Sequence, residues 1–424
     1  LAFSITSGAL PSGLSFGSAN GQITGTPAIV SSDTTFNFTV TATDDENQTN
    51  ARAFNLIVLR PVYARQINQS LMFDGAASAL VRTQEAASTT YTWSGWIKRS
   101  ALSTDYEILW SSSNNIAVGL WTGVNDMRIY VHSGGSNYTT VKHIRDTMGW
   151  FHLVFQNNAG TFTIWVNGTQ YYQGSIGQAL STTSNATTIG RFYSSGNGAY
   201  YFDGYMADIH FVDGQAKAPT DFAASYNGVW TPIAYAGTFG TGGYKLEFAD
   251  SSALGDDTSG NTNDMSTGGI TSDHKKIDSP TINMCTYNTH AYRRDVNNVR
   301  PEYYFGNTKI SYPNAGGNQT YGFGTHAVSS GKWYFEIYMN ATGSNTNVGI
   351  GTQGDINAQD AHNCGYRNTG AVSHSSGSKD GDGDSYSNGD IISIAYDLDA
   401  GTIRWWKNNS LQSTVTGFNT TNSY

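Results

Sequence analysis

The acidic run Ser378-Lys379-Asp380-Gly381-Asp382-Gly383-Asp384-Ser385 is the stretch where metal chemistry could be concentrated. Asp380, Asp382 and Asp384 alternate, a spacing that can gather three carboxylates around one hard cation, and an all-oxygen set points to Ca2+. Counted from Asp380, a helix–loop–helix calcium loop needs Gly in sixth place and Glu in twelfth, and Ser385 and Ile391 stand there. A solvated acidic loop is the competing reading. Acid–base hydrolysis has weaker support. A retaining glycosidase holds two carboxylates about 5 Å apart. Glu46, Glu85, Glu107, Glu247, Glu302 and Glu336 each lack a second Glu or a patterned Asp close by on one strand face. No His-x-x-x-His spacing occurs. Cys285 and Cys364 exclude a disulfide framework and are too few for a thiolate metal site. Two free thiols are expected, with one bridge as the alternative. The expectation is a protein without a catalytic centre.

Binding chemistry is better represented. Trp121, Tyr138, Tyr193, Tyr200 and Tyr201 lie in or near Gly-, Ser- and Asn-rich stretches. Aromatic faces beside amides and hydroxyls suit sugar rings, which stack and hydrogen-bond at once, and they also suit protein partners. Against this stands the plainer role of plugging sandwich ends.

Composition narrows the setting. Charged residues make up 13% of the 424, against about 25% in ordinary globular chains. Aromatics are also 13%, and there are 48 glycines. Such a chain covers its surface with Ser, Thr, Asn, Gly and Tyr, as all-β extracellular and virion proteins do. Net charge is −9 with no basic block, which argues against nucleic-acid binding. No apolar run approaches the ~18 residues of a membrane span. Leu1 opens neither a signal peptide nor an initiator Met, so the chain reads as a piece of something longer.

The elements that must position these residues centre on Trp150–Gln173. Phe151, Leu153 and Phe155 alternate with Trp150, His152 and Val154, and Phe162, Ile164 and Val166 alternate with Thr161, Thr163 and Trp165. A period of two sends each set to its own face of a pleated strand. Asn157-Asn158-Ala159-Gly160 and Asn167-Gly168 are turns of residues that tolerate a left-handed backbone. One face is apolar enough to rest on a second sheet, with His152 as a packed residue of the sandwich.

This hairpin, with Ser70–Gly75, Tyr91–Ile97 and Tyr201–Ile209 around it, resembles the laminin-G-like, concanavalin A-like jelly roll over residues 66–250. LPSGLSF, NGQITGTP and FTVTATD in residues 1–60 resemble the Ig-like and cadherin-like repeats of large bacterial and phage surface proteins, entered part-way, and imply a spacer. SGKWYFEI, VGIG and GDIISIAYDLDAGTIRWWKNN in residues 301–424 resemble a SPRY domain, truncated at its end, which implies protein interaction without catalytic residues. Residues 251–300 are expected to be an extended, loop-rich connector. The fold expected is all-β: serial β-sandwiches. The enzymatic relatives of the jelly roll, laminarinase-type glycosidases, carry Glu-x-Asp-x-Glu, which is missing here.

Together the three resemblances are similar to a phage virion protein of the tail-fibre or receptor-binding type. They imply a non-enzymatic structural and host-recognition role in the extracellular virion tail, as a homotrimer. Its partners would be other tail subunits and a host surface glycan or protein. A bacterial cell-surface adhesin and a polysaccharide-degrading enzyme are the alternatives.

Overall fold

A computed structural model describes residues 1–424 apart from 29, 31–32, 59–62, 64, 85–86, 101–105, 114, 122–127, 185, 194–199, 227, 294–299, 313–320, 344–345, 352–363, 375–377 and 419–424. Glu85 therefore lies outside the described residues. The chain is all-β, with strands stacked as sandwiches and only two single-turn 3-10 helices among the described residues.

The central hairpin forms where the alternation predicts. Phe151–Asn158 pairs antiparallel with Thr161–Val166, Leu153 opposite Val166 and Phe155 opposite Ile164. Ala159 (φ 48°) and Gly160 (φ 101°) turn the chain, and the Asn157 side chain accepts the Gly160 N–H at 3.0 Å. Asn167 (φ 48°) and Gly168 (φ 74°) make the next two-residue turn, whose left-handed pair matches strand twist. The Asn167 side chain also accepts the His152 N–H at 2.8 Å, so one amide fixes both the turn and the strand end.

Two sheets face each other across a dry core. The larger runs Thr169–Ser175, Thr161–Val166, Phe151–Asn158, Thr90–Arg99, Asp203–Asp213, Ser70–Asp74 and Lys275–Lys276, with Tyr244–Leu246 also pairing on Asp203–Asp213. The other runs Ser136–His143, Arg128–Ser133, Ile116–Trp121, Glu107–Ser112, Thr187–Ile189, Ala79–Arg82 and Ser266–Gly268. Trp93 stacks on Phe155 at 5.1 Å, Trp110 meets Phe155 at 5.4 Å, and Phe211 stacks on Tyr244 at 5.2 Å. Each such ring, fully removed from water, contributes about 1.5–3 kcal/mol.

The 251–300 stretch does more than connect. Ser266–Gly268 adds to the Ala79–Arg82 edge, and Lys275–Lys276 adds to the Ser70–Asp74 edge, so one polar segment closes an edge of each sheet. Strand addition uses main-chain N–H and C=O groups, which explains how a segment so poor in apolar side chains can do it. Its loops are held by side-chain amides and carboxylates. Asp257 accepts the N–H groups of Lys245, Ser259 and Asn263, while Asn263 accepts Arg82 at 2.8 Å and donates to the carbonyls of Thr241 and Gly243.

Leu1–Ile67 forms a separate compact unit that also includes residues 218–237, a stretch the sequence places with the jelly roll. In it Ala2–Gly8, Thr34–Thr43 and Thr49–Val58 make a three-stranded sheet, Leu14–Phe16 pairs with Ile23–Gly25, and Ala223–Tyr226 pairs with Val229–Pro232.

Toward the C-terminal end, Lys332–Tyr338, Ile391–Asp397, Thr402–Lys407, Ser410–Thr416 and Ser378–Lys379 form a five-stranded sheet. Asn347–Ile350, Cys364–Arg367 and Val372–Ser373 form a three-stranded one. Ile394 opposes Trp405 in the hairpin, and the Asp397 carboxylate accepts the Asp399 and Ala400 N–H groups in its turn. Trp405, Ile392, Ile394, Ile403, Val415 and Tyr366 are all fully buried in one core. Phe335 and Ile337 pack against it as their alternation requires, whereas Trp333, at the strand's start, is 43% exposed.

Candidate functional site

Strand alternation builds an aromatic face on the outside of the jelly roll's second sheet. Val118 and Leu120 point inward to the main core, so Ala117, Gly119 and Trp121 point outward. On the neighbouring strand Ile129 and Val131 point inward, leaving Arg128, Tyr130 and His132 outside. Arg128 pairs with Trp121 and Tyr130 with Gly119, so the outward residues of the two strands sit side by side. Gly119 has a steric reason to be glycine, because a Cβ there would run into the Glu107 carbonyl and Ile108. The result is a low floor of Ile108, Ala117 and Gly119 with rings around it.

Tyr106 is the hub of those rings. It lies nearly parallel to Trp121 at 6.3 Å, meets Tyr130 at 4.7 Å and turns its edge to Tyr200 at 5.2 Å. Phe192 continues the cluster to Tyr200 at 6.4 Å and stands edge-on to His132 at 5.8 Å. The Arg128 guanidinium sits 5.6 Å over the Trp121 ring. Polar groups are interleaved: the Tyr130 hydroxyl donates to the Asn137 side-chain oxygen at 2.7 Å, and His132 Nδ1 is 2.9 Å from the same oxygen. Burial, helped by the nearby phenols of Tyr106 and Tyr200, pushes the Tyr130 hydroxyl up to about 12, so it remains a neutral donor across the physiological range. Half-buried rings with fixed amide and hydroxyl groups between them can stack on one face of a pyranose and hydrogen-bond its rim.

Of the residues expected at a binding site, this face unites Trp121 and Tyr200. Tyr138 is on the opposite side of the sheet, packed against the main core and 6.2 Å from Tyr172. Tyr193 and Tyr201 are half-buried and make no ring contact with the cluster among the described residues. Tyr106, Arg128, Tyr130, His132, Asn137 and Phe192 were not singled out by sequence. The signal lay in the parity of Ala117-x-Gly119-x-Trp121 against Arg128-x-Tyr130-x-His132.

The acidic run does not converge. Asp380 accepts the Thr414 N–H at 2.7 Å and the Ser413 hydroxyl at 3.1 Å. Asp382 accepts the Val372 N–H at 2.9 Å and the Lys379 ammonium at 2.5 Å. Asp384 uses its main chain, with its N–H on Gln412 Oε1 at 2.7 Å and its carbonyl accepting Tyr366. Among the described residues no group of three or more His, Cys, Asp or Glu comes together to hold a metal. Cys285 and Cys364 are both free thiols.

One polar cluster has the composition of a hydrolytic site. Ser94 Oγ is 2.8 Å from His152 Nε2, and Asp208 lies 3.8 Å from His210 Nε2. All four are buried on the outer side of the larger sheet, with Trp96 stacked on His152 at 4.9 Å, so a substrate has no access to them. Burial, partly opposed by the Asp208 charge, pushes the His152 imidazole down to about 3. The unfolded chain therefore takes up a proton near 6.5 that the folded chain refuses until about 3. The stabilisation is complete above pH 6.5 and is lost as pH falls, on the order of 3 kcal/mol by pH 4. Asp203 acts with the opposite sign. Burial and the neighbouring Asp74 charge push it up to about 6, so its protonated form favours the fold at low pH. Urea unfolding of wild type and His152→Gln between pH 7 and 4 separates the two. The variant is expected to lose less stability on acidification, and parallel curves would refute the assignment.

Family models match the chain in three places: a concanavalin A-like lectin/glucanases superfamily model of laminin-G type over residues 73–220, a putative Ig domain over 1–59, and a SPRY domain over 332–423. No curated protein matches. Among solved structures, a putative carbohydrate binding protein from Bacteroides ovatus aligns at 16% identity and TM-score 0.41, over 59% of this chain and 70% of that one. Domain 4 of AbnA, a GH43 extracellular arabinanase from Geobacillus stearothermophilus in complex with arabinotriose, aligns at 20% identity and TM-score 0.30, over 37% and 76%. A heptameric SAP-like pentraxin from Limulus polyphemus aligns at 16% and 0.30, over 36% and 80%. None of these carries an activity over to this chain.

Proposed function

With laminin-G-like, Ig-like and SPRY matches in one chain, we propose a non-catalytic structural and host-recognition protein of a phage virion, of tail-fibre or receptor-binding type. It holds a cell-surface glycan against the Trp121 face of its jelly roll. The observation that carries this reading is the ring cluster around Tyr106, with Asn137 and the Tyr130 hydroxyl set between the rings. A low-charge surface and sandwiches in series suit an exposed, repetitive assembly, and the Ig-like part acts as a spacer. In the virion the chain stands beside other tail subunits as a homotrimer.

A glycan array and host-envelope pull-down with the whole chain test recognition. Trp121→Ala is expected to weaken the retained glycan ~10–30-fold, the cost of an aromatic anchor. Tyr138→Phe, altered on the inner side of the same sheet, should bind as wild type does. Equal binding by wild type and Trp121→Ala would reject the site, and retention of no envelope material would reject the function. Sedimentation tests the trimer.

A further inference from the structure

A groove of about 580 Å3 lies where the Thr271–Lys276 segment meets the Phe305–Thr308 turn, with Met72 at its floor. Its two walls are built differently. On one wall the Thr271 N–H donates to His274 Nδ1 at 3.0 Å, and His274 Nε2 meets Ser78 Oγ at 3.1 Å, so both ring nitrogens are engaged. The Lys275 ammonium is taken by the Ala249 carbonyl. Lys276 is the exception: its ammonium is half-buried and has no hydrogen bond or ion pair among the described residues, with Asp273 supplying only a nearby charge.

On the other wall Phe305 has φ 53°, a left-handed backbone that a bulky side chain adopts only under constraint. The constraint is visible. Gly306 (φ 63°) and Asn307 (φ 62°) continue the turn, the Tyr205 hydroxyl donates to the Gly306 carbonyl, and the buried Asn307 amide donates to the Ser100 carbonyl. The Tyr287 N–H donates to the Asn307 carbonyl at 2.8 Å, and the Thr308 hydroxyl donates to Phe305 O at 2.7 Å. This over-determined turn holds out a ring that is 55% exposed, with the Lys309 ammonium 5.6 Å from its centroid. Strain maintained to present an apolar ring to solvent contributes nothing to the core, and such strain concentrates at ligand clamps.

We propose that this groove binds the carboxylated sugar rings of an acidic polysaccharide. The pyranose face stacks on Phe305, the sugar carboxylate meets Lys276, and ring hydroxyls reach Thr308, Ser272 and the Asp273 carboxylate. The Asp273 acceptor favours a sugar over an acidic peptide, because a polyhydroxylated ring donates hydrogen bonds to it where a carboxylate-rich peptide is repelled. The groove belongs to the edge of the larger sheet, whereas the Trp121 face is the outer side of the other.

Calorimetric titration of the whole chain with oligogalacturonate, its methyl ester and polyglutamate tests the assignment. Oligogalacturonate is expected to bind, and polyglutamate to bind at least ten-fold more weakly. Lys276→Gln should weaken oligogalacturonate about ten-fold, one charge-assisted contact, and leave the methyl ester unchanged. Phe305→Gly, which keeps the left-handed turn without strain, should weaken both sugars. Trp121→Ala should affect neither. No oligogalacturonate binding by wild type, binding unaltered in Lys276→Gln, equal binding of polyglutamate, or loss in Trp121→Ala alone would each overturn the proposal.

Discussion

Asp278→Ala is expected to destabilise the jelly roll by about 3–5 kcal/mol, because it strands a buried cation. Lys98 is 1% exposed, and its ammonium uses all three donors: on the Asp278 carboxylate at 2.8 Å, the Asn283 side chain at 2.9 Å and the Met284 carbonyl at 3.2 Å. The other Asp278 oxygen accepts the Trp150 indole N–H at 2.9 Å, and its carbonyl accepts the Ser70 hydroxyl. One aspartate thus ties a polar segment to three separate strands or strand ends of the jelly roll. Removing it leaves the ammonium desolvated and the indole unpaired, and both costs fall on the folded state. At about 2–4 °C per kcal/mol for a domain of this size, calorimetry should show a drop of order 10 °C. The double variant Lys98→Met, Asp278→Leu should recover most of it, because an apolar pair avoids the desolvation penalty. A single variant that melts with wild type would remove Asp278 as an anchor.

Trp405→Ala should have an effect of similar size in the C-terminal sandwich, about 3–5 kcal/mol, from lost burial plus the cavity left behind. Trp405 is wholly buried among Ile394, Ile403, Val415 and Tyr366. Its indole N–H has no hydrogen-bond partner among the described residues. Trp405→Phe should therefore cost clearly less than Ala, since it deletes an orphaned donor while keeping a ring. Urea denaturation followed by tryptophan fluorescence and far-UV dichroism measures both. Equal losses for Ala and Phe would refute the account from burial and cavity volume.

How far the sequence carried the site depends on parity across hairpins. Trp121 and Tyr200 could be picked out as rings in polar surroundings. Tyr138 looked equivalent but points the other way. The reason is its pairing: in the hairpin with Arg128–Ser133 it stands directly opposite Val131, an inward residue of the main core, while its neighbour Asn137 stands opposite the outward His132. Pairing fixes which face a strand residue takes, and the Gly-, Ser- and Asn-rich surroundings of Tyr138 do not show it. Tyr106 and Tyr130 were missed for the related reason that a ring becomes part of a cluster only through the strands beside it. The acidic run failed in the opposite sense. Its spacing was right for converging carboxylates, but Thr414, Ser413 and Val372, distant in sequence, and Lys379 within the run itself claimed Asp380 and Asp382 first.

What the chain's own order determined was everything that depends on contiguous residues. Period-two alternation made the strands, Asn-Gly and Asn-Asn-Ala-Gly made the turns, and the domain motifs placed laminin-G-like, Ig-like and SPRY sandwiches in series. Tertiary structure alone decided which outward faces became neighbours. It brought Tyr106, Trp121 and Tyr130 together, put Lys275–Lys276 on a sheet edge and set Phe305 and Lys276 on one groove. Those outcomes rest on main-chain pairing and on single buried groups such as Asp278 and Asn307. Their partners are tens to hundreds of residues away, and a local pattern carries no record of them.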